Sequence, residues 1–348
     1  MTRLADLAEL VRAPAALSVP GDVLAGAASA GTLGRRTPAL AGASVLLYWA
    51  GMAANDWADR RLDAVERPER PIPSGRVRPG VALGLAGGLT AAGLAVATAA
   101  GGVRAAAVAV PLAATIWGYD LRAKDTAAGP AVMAACRGLD VLLGATTTPT
   151  ARGCAAGGDR WPGGGPSGTG CGRGAGGSGG SVGPALLRAL PAALTVAAHT
   201  WTVTALSRRE VTGVADRRLP GLTLAGTALI ALAAPGRPTV LSGAPSSTEC
   251  VKRGPFLRLG ALVPVALAAG YAVRYGRAQA RVLADPSPAR VRAAVGAGIT
   301  GLPALQGALT ARAGGGAVGA RPGVGLLGLA VAAAAPLGRR LARLVSPT

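Results

Sequence analysis

Long apolar runs follow one another along this chain of 348 residues, and short polar segments separate them. Each run is roughly 17–25 residues long, the length that an α-helix needs to cross the hydrocarbon core of a bilayer. The pattern predicts one all-α domain over residues 1–348, a polytopic membrane bundle of nine helices, or ten if every run spans. The runs lie at about 13–33, 38–56, 80–101, 103–119, 128–147, 184–206, 219–235, 257–275, 290–311 and 321–338.

Two polar segments interrupt this series. Residues 151–183 consist largely of glycine, so they cannot bury enough apolar surface to offset the entropy lost on ordering. We therefore expect a flexible loop inserted between two membrane helices. A shorter polar loop is expected at 236–254.

Composition and charge agree with a membrane protein. Hydrophobic residues make up 50% of the chain, charged residues only 15%, and the mean hydropathy is +0.41. The net charge of +20 does not indicate nucleic acid binding, because aromatic residues are only 3% of the chain and do not interleave with the basic ones. Most Lys and Arg residues instead fall in alternate loops, which predicts a multi-pass plasma-membrane protein whose loops 57–79, 207–218 and 274–292 face the cytoplasm.

Candidate chemistry begins at the polar end of the second run. Asp56, Asp59 and Asp63 stand at i, i+3 and i+7, so three carboxylates share one helical face, and Asn55 adds an amide oxygen beside them. Like charges this close to a membrane are costly unless a cation neutralises them. Oxygen ligands without His or Cys favour Mg²⁺, which leaves positions open for the oxygens of a diphosphate.

A simpler interpretation remains open for the same stretch. The carboxylates could pair with neighbouring guanidinium groups in a solvated loop, without a metal ion. The candidates for such pairing are Arg60, Arg61 and Arg67.

The motif N-D-x-x-D-x-x-x-D at 55–63, followed by R-P-I-P-S-G-R at 70–76, resembles the UbiA superfamily of intramembrane prenyltransferases. Three further segments are similar to that family. GYDLRAKDTAAGP contains Tyr119 and Lys124, MAACRGLDVLLGA at 133–145 matches the fifth helix, and HTWTVTALSRREVTG at 199–213 lies where a second acidic motif belongs. The resemblance covers nearly the whole chain except the Gly-rich insert and the loop at 236–254.

The resemblance implies a bundle of about nine helices around a cavity that opens to lipid. An isoprenyl diphosphate would bind through Mg²⁺ between two acidic motifs on the cytoplasmic side, ionise to an allylic cation, and alkylate an unidentified acceptor. The implied metal ligands are Asn55, Asp56, Asp59, Asp63 and Glu210. Catalytic roles would fall to Lys124, Tyr119 and Glu210, and substrate contacts to Lys124, Arg70, Arg76, Arg208 and Arg137.

One departure concerns the second motif. Family members carry paired aspartates there, whereas SRREVTG offers only Glu210, with Asp216 six residues later on another helical face. Three interpretations stay open: Glu210 binds a second ion alone, a single ion is used, or this half has another role. In this respect the chain resembles a less characterised branch of the superfamily, found in Ebo-type gene clusters.

Several candidates also have a structural interpretation. Arg70, Arg76 and Arg208 could be topology charges, and Tyr119 could mark the membrane interface instead of shielding a cation. Arg137 and Asp140, three residues apart in one run, either form a structural ion pair or line the cavity. His199 is either a hydrogen-bonded interior residue or a base.

Two other functions compete with prenyl transfer. CDP-alcohol phosphotransferases also carry an Asp-rich membrane motif, but the D-G-x-x-A-R continuation is absent, since residues 57–60 read WADR. A transporter or a lipid-binding scaffold with the same fold would explain the weak second motif. Release of diphosphate from an allylic substrate would distinguish the enzyme from both.

Overall fold

Helices form all the regular structure in the part of the chain that the computed structural model describes, residues 3–13, 18–147, 182–236, 255–314 and 323–333. The all-α class predicted from the sequence is therefore confirmed. The helices are α1 Leu4–Leu10, α2 Pro20–Ala30, α3 Thr37–Glu66, α4 Pro79–Gly118, α5 Gly129–Gly144, α6 Val182–Ser207, α7 Arg218–Ala233, α8 Pro255–Tyr271, α9 Arg277–Ala284, α10 Pro288–Arg312 and α11 Gly323–Ala333.

Three of these helical stretches are long and apolar enough to cross a membrane by length and composition: Thr37–Glu66, Pro79–Ala123 and Gly183–Ser207. Two shorter apolar helices, α7 and α11, accompany them in the described residues. The expected loops at 151–183 and 236–254 fall almost wholly outside the described residues, except that α6 already begins at Val182.

The long helix α4 contains a break that the apolar pattern anticipated. Gly102 has φ 65° and ψ −155°, a conformation that glycine adopts without the steric cost of a Cβ atom. The break separates the two apolar runs predicted at 80–101 and 103–119. Beyond Gly118 the helix continues as a π-helical turn, Tyr119–Ala123, which carries the polar residues at its end.

Small residues let helices α2 and α5 approach closely. A Cβ atom at Gly26 would collide with the carbonyl oxygen of Val141, and one at Gly144 would collide with the carbonyl oxygen of Val23. Close backbone approach of this kind is typical of helix packing in membranes, where dispersion contacts replace the hydrophobic effect between helices.

The polar loops meet at one end of the bundle. Lys124, after the π-helical turn, forms an ion pair with Asp59 on α3. Arg208, after α6, donates to the carbonyl oxygen of Thr126. Arg292 on α10 donates to the carbonyl oxygen of Glu210 at 3.0 Å. These contacts bring the segments that carry the sequence motifs to the same end of the fold.

Candidate active site

Asp56 on α3 is buried and binds two guanidinium groups. Its Oδ1 atom lies 2.6 Å from Nη2 of Arg12 and 3.4 Å from Nη1 of Arg70. Only 4% of Asp56 is exposed, so its charge needs such partners to offset the loss of hydration. Arg12 also has φ 45°, which is uncommon for a residue other than glycine.

The other two carboxylates on this face are also paired. Asp63 lies 2.7 Å from Nη1 of Arg70 and 3.5 Å from Nη1 of Arg67, and Asp59 pairs with Nζ of Lys124. The local pairing expected for Arg67 is therefore present, at i,i+4. The stronger contacts, however, come from Arg70 and Lys124, which lie farther away along the chain.

Asn55 completes the polar face by donating from Nδ2 to Oδ1 of Asp120 at 3.3 Å. Asp120 is 7% exposed and lies at the start of the π-helical turn. A Cβ atom at Gly51 would lie 2.5 Å from Ile116 and 3.0 Å from Oδ2 of Asp120, so glycine is needed for this close approach. The sequence interpretation missed Asp120, although an acidic residue directly after an apolar run was a usable signal.

Arg76 and Arg208 make different contacts. Arg76 binds Glu9 at 2.6 Å and Asp6 at 3.0 Å, which ties the R-P-I-P-S-G-R segment to α1. These two carboxylates, Glu9 foremost, raise the pKa of Arg76. Arg208 donates to the carbonyl oxygens of Thr126 and Asp125. Neither arginine contacts the carboxylates of α3 in this arrangement.

Glu210 lies in the turn after α6, with its carbonyl oxygen bound by Arg292. Partial burial raises the pKa of the Glu210 carboxyl, and the nearby Arg292 partly opposes that rise. Among the described residues, no three His, Cys, Asp or Glu side chains are grouped closely enough to hold a metal ion. Glu210 is therefore not assembled with the α3 carboxylates into one such group.

The type of donor on α3 nevertheless fits a hard cation. Its face presents only carboxylate and amide oxygens, the ligands that Mg²⁺ prefers. Buried Asp120 adds a further carboxylate beside Asn55. Arg12, Arg70 and Lys124 now contact these oxygens, so a metal ion would have to displace side chains that can themselves bind phosphate.

A cavity of about 360 Å³ lies between α3, α5, α6 and α10. Tyr119 and Ser207 line it from the polar end of the bundle, and Arg137 and His199 also line it. Arg137 is the one permanently charged side chain among the described lining residues. The remaining surface is largely apolar, including Met52, Met133, Val295, Ile299 and Leu302.

Arg137 pairs with a residue that the sequence interpretation did not consider. Its Nε atom lies 2.8 Å from Oδ2 of Asp22 on α2, and its guanidinium lies 5.5 Å from the ring centre of Tyr48. Asp140, the partner considered from the sequence, instead accepts from the hydroxyl of Ser44. Among the described residues, Asp22 thus takes the place of Asp140 as the ion-pair partner, whereas the other interpretation, that Arg137 lines the cavity, agrees with its position.

His199 has a hydrogen-bond partner inside the bundle. Its Nδ1 atom lies 2.9 Å from Oη of Tyr271, and the rings of Tyr271 and Tyr275 contact it edge-on. The Tyr275 hydroxyl donates to Thr202 at 3.2 Å. These contacts agree with the interior interpretation of His199.

One solved structure has a similar fold. It is described as digeranylgeranylglyceryl phosphate synthase in membranes, and it superposes with a TM-score of 0.53 over 87% of this chain and 99% of its own. Sequence identity is 15%, so this likeness concerns the fold alone.

Curated relatives match over short segments. A digeranylgeranylglyceryl phosphate synthase of Natronomonas pharaonis is 44% identical over 85 residues, which is 24% of this chain and 31% of the relative. The enzyme of the same name from Methanothrix thermoacetophila is 56% identical over 48 residues, 14% of this chain and 18% of its own. The bacteriochlorophyll synthase 33 kDa chain of Rhodobacter capsulatus is 68% identical over 25 residues, 7% and 8% of the two chains.

The match to a whole family is much longer. Residues 18–281 fit the profile described as the UbiA prenyltransferase family, which includes α2 to α8 and both candidate motifs. Proteins of this family are integral to membranes, in agreement with the three long apolar helices. This chain therefore belongs to the UbiA prenyltransferase family.

Proposed function

We propose that this protein transfers an isoprenyl group from an isoprenyl diphosphate to an acceptor within the membrane, with Mg²⁺ as its cofactor. The observation that carries the proposal is the position of the polar face of α3. It lies at the same end of the bundle as Tyr119, which lines an apolar cavity of about 360 Å³. A charged diphosphate would bind at this polar end, and its isoprenyl tail would lie in the apolar cavity.

The metal ligands in this proposal are Asn55, Asp56, Asp59 and Asp63, with Glu210 as a ligand from the opposite half. When bound, Mg²⁺ would neutralise the diphosphate and stabilise it as a leaving group. Oxygen donors without His or Cys suit this ion.

The basic residues around α3 would bind the donor directly. Lys124 and Arg70 contact the carboxylates and can turn to diphosphate oxygens, as can Arg12. Charge-assisted hydrogen bonds from these groups would hold the leaving group in place. Arg76 and Arg208 would act through the segments they hold, since their contacts are with α1 and with the loop at 125–126.

The cavity would protect the allylic cation from water. Its largely apolar surface excludes nucleophilic water, and the ring face of Tyr119 can stabilise positive charge. Arg137 lines this cavity but is bound by Asp22. We therefore propose that Arg137 contacts the substrate as part of the cavity wall, while the Asp22 carboxylate neutralises its charge.

The acceptor would be lipid-like, because it must reach a cavity inside the membrane. The names of the curated relatives, digeranylgeranylglyceryl phosphate synthase and the bacteriochlorophyll synthase 33 kDa chain, support acceptors of different chemistry. We therefore propose a membrane-soluble acceptor without choosing between these types.

A non-catalytic scaffold or transporter is the second candidate. The observation that favours it is that Asp56, Asp59 and Asp63 all have basic partners, so their charges are balanced without a metal ion. Such a protein would bind prenyl lipids without cleaving a diphosphate.

Diphosphate release from labelled allylic diphosphates tests the two candidates. The purified full-length protein is incubated in detergent with donors of several chain lengths and a membrane lipid extract, with Mg²⁺ or with a chelator. Mg²⁺-dependent release together with a prenylated lipid product supports the enzyme. Donor binding without release at any Mg²⁺ concentration or chain length supports the scaffold.

A further inference from the structure

A second cavity lies apart from the candidate active site, between the π-helical turn after α8 (Ala272–Gly276), α9 and the first half of α10. It has a volume of about 270 Å³. Four arginines line it: Arg274, Arg277, Arg281 and Arg290. The other lining residues are small or apolar, namely Val273, Ala278, Ala293 and Ala297. Nothing in the proposed prenyl transfer uses this cavity.

The charge on this cavity is poorly balanced. Arg290 lies 3.3 Å from Oδ2 of Asp285, and both side chains are about half exposed, at 51% and 54%. Within the described part of the chain, Arg274, Arg277 and Arg281 form no ion pair with a carboxylate. Like charges around one concave surface repel each other and attract an anion.

This imbalance contrasts with the other arginine-rich region of the protein. Near α3, Arg12, Arg67, Arg70 and Arg76 each contact at least one Asp or Glu side chain. The carboxylates there neutralise the guanidinium groups. At the second cavity, Asp285 is the one carboxylate that pairs with a lining arginine among the described residues, so three of the four guanidinium groups are left for a ligand.

Helical spacing brings the arginines together. Arg274, Arg277 and Arg281 are separated by three and four residues, so they share one face of the helical segment. Arg290 approaches from α10. The small alanine side chains between α9 and α10 leave room for a group the size of a phosphate. Guanidinium groups bind phosphate oxygens through paired, charge-assisted hydrogen bonds.

The wall formed by the 285–292 segment is anchored. Oδ1 of Asp285 accepts from the backbone N–H of Ser287 at 3.2 Å. Hydrogen bonding from the side chain and the backbone of Ser287 lowers the pKa of the Asp285 carboxyl. The carbonyl oxygen of Pro286 accepts from Val214 at 3.1 Å. Arg290 therefore lies in the first turn of α10, directly after a segment that these hydrogen bonds hold in place.

An apolar strip on α8 and the π-helical turn that follows it, Ala272–Gly276, leads toward the arginines. Leu262, Ala269 and Val273 stand at i, i+7 and i+11, and all three are exposed. Exposure of Leu262 is 60% and that of Val273 is 48%. In a membrane-embedded helix, such a strip faces acyl chains. An acyl chain along the strip would place its headgroup beside Arg274 and Arg277.

We propose that this cavity binds a phosphate-bearing anion, and that its source is the headgroup of an anionic glycerophospholipid. The four arginines bind the phosphate, and the apolar strip on α8 and its following turn contacts an acyl chain. A free phosphate ester offers the same headgroup chemistry without the chain, so the two sources are separable by experiment.

Native mass spectrometry of the full-length protein in detergent tests the site. The delipidated protein is titrated with dioleoylphosphatidylglycerol, with dioleoylphosphatidylcholine, and with soluble glycerol 3-phosphate. The variant replaces Arg274, Arg277 and Arg281 with Gln. A matched control, with the same loss of charge, replaces the exposed Arg35, Arg217 and Arg218 with Gln.

The proposal requires that phosphatidylglycerol binds more tightly than phosphatidylcholine. The triple variant at the cavity should weaken this binding by at least about tenfold, since it removes three guanidinium groups that would hydrogen-bond the headgroup phosphate directly, which the control variant does not. The control variant should bind as the wild type does. If glycerol 3-phosphate binds and phosphatidylglycerol does not, the phosphate site is supported and the lipid source is overturned.

Equal weakening in the cavity variant and in the control would overturn the site, because only net charge would then matter. If the triple variant does not fold, Ala293→Phe is the second test. Ala293 lines the cavity and is exposed, so the larger ring should be tolerated while it occupies part of the cavity. Loss of selective phosphatidylglycerol binding in Ala293→Phe supports the site, and unchanged binding refutes it.

Discussion

At the residue scale, the same acidic side chains serve two purposes in this protein. Asp56, Asp59 and Asp63 hold basic residues that come from the segment after α1, from the loop after α3 and from the end of the π-helical turn that follows α4. They are also the proposed ligands of Mg²⁺. Substituting one of these aspartates therefore removes an ion pair as well as a proposed metal ligand. The loss of stability and the loss of catalysis are best separated at the aspartate that is most exposed.

Asp59→Asn is the cleanest test of the first motif. The Asp59 side chain is 22% exposed, against 5% for Asp56, so its loss should disturb folding less. We expect turnover to fall at least about a thousandfold, roughly 4 kcal/mol of transition-state stabilisation. Asp56→Asn should lower turnover equally but also lower stability. Diphosphate release and thermal unfolding are measured on the same samples.

Glu66→Gln is the matched control, because Glu66 lies at the end of the same helix and is exposed. It should retain wild-type turnover. Unchanged activity in both Asp56→Asn and Asp59→Asn would refute the catalytic role of α3 and leave the scaffold as the better explanation.

Glu210→Gln decides between the interpretations of the second motif. If Glu210 holds a second ion, the variant should need more Mg²⁺ and lose several orders of magnitude in turnover. If one ion suffices, the loss should be about tenfold, roughly 1.4 kcal/mol. The assay is turnover against Mg²⁺ concentration. Asp216→Asn is the control, since Asp216 accepts from the backbone of Arg218 and is exposed.

The pH profile gives a second measurement on Glu210. Burial raises its pKa, so the carboxylate forms at higher pH than in an ordinary glutamate. If the ionised form binds metal, activity should rise through that raised pKa as the pH increases. Glu210→Gln should then remove this rise. A rise that persists in the variant would assign it to another group.

At the scale of elements, two buried contacts fix how the helices pack. The Asp22–Arg137 ion pair joins α2 to α5. The close approach at Gly51 joins α3 to the end of α4, where Asp120 and Asn55 meet. Both contacts lie beside the cavity or the polar face, so each has a consequence for stability and for the site.

Asp22→Asn tests which carboxylate balances Arg137. Arg137 is 6% exposed and Asp22 is fully buried, so removing the partner leaves an unpaired buried guanidinium. We expect a loss of about 3–5 kcal/mol in the free energy of unfolding. Asp140→Asn should cost less than about 1 kcal/mol, because an amide can keep the hydrogen bond with Ser44. Equilibrium unfolding in mixed SDS micelles measures both, and a larger loss for Asp140→Asn would contradict the pairing with Asp22.

Gly51→Ala tests the approach of α3 to α4. The added Cβ would lie 2.5 Å from Ile116 and 3.0 Å from Asp120, so we expect a destabilisation of about 1–3 kcal/mol. Gly42→Ala on the same helix meets nothing within 4 Å and should stabilise by up to about 1 kcal/mol, through higher helix propensity. Thermal unfolding of both variants in one detergent is the measurement. Equal stability of the two would show that the approach is not tight.

The sequence predicted helices better than it predicted partners. Apolar runs located α4 and its division at Gly102, because hydrophobicity and glycine act locally. Ion pairs such as Arg12 with Asp56, or Asp22 with Arg137, join segments 44 and 115 residues apart. Such pairs depend on how helices cross, and a single sequence does not reveal this. The position of Asp120 after an apolar run was visible in the sequence, but its contact with Asn55, 65 residues away, was not.

At the scale of the whole molecule, charge is distributed unevenly between the polar segments. The loops after α3, the π-helical turn and α6 meet at one end and carry the motif residues. The Arg-lined cavity near α9 borders the same region, since Pro286 contacts Val214. An excess of basic residues at one end predicts that this end faces the cytoplasm.

Cysteine labelling in intact cells tests this orientation with three valines of similar exposure: Val65 at 83%, Val211 at 87% and Val103 at 83%. Each is replaced by Cys in a variant that lacks the four native cysteines. A membrane-impermeant reagent should label Val103→Cys, which follows the break in α4. Val65→Cys and Val211→Cys should react only after the membrane is permeabilised. Because the three sites are equally exposed in the protein, different reactivity reports membrane sidedness instead of burial. The reverse pattern would place the acidic face of α3 outside the cell, away from a cytoplasmic supply of isoprenyl diphosphate, and would contradict both the orientation and the proposed donor.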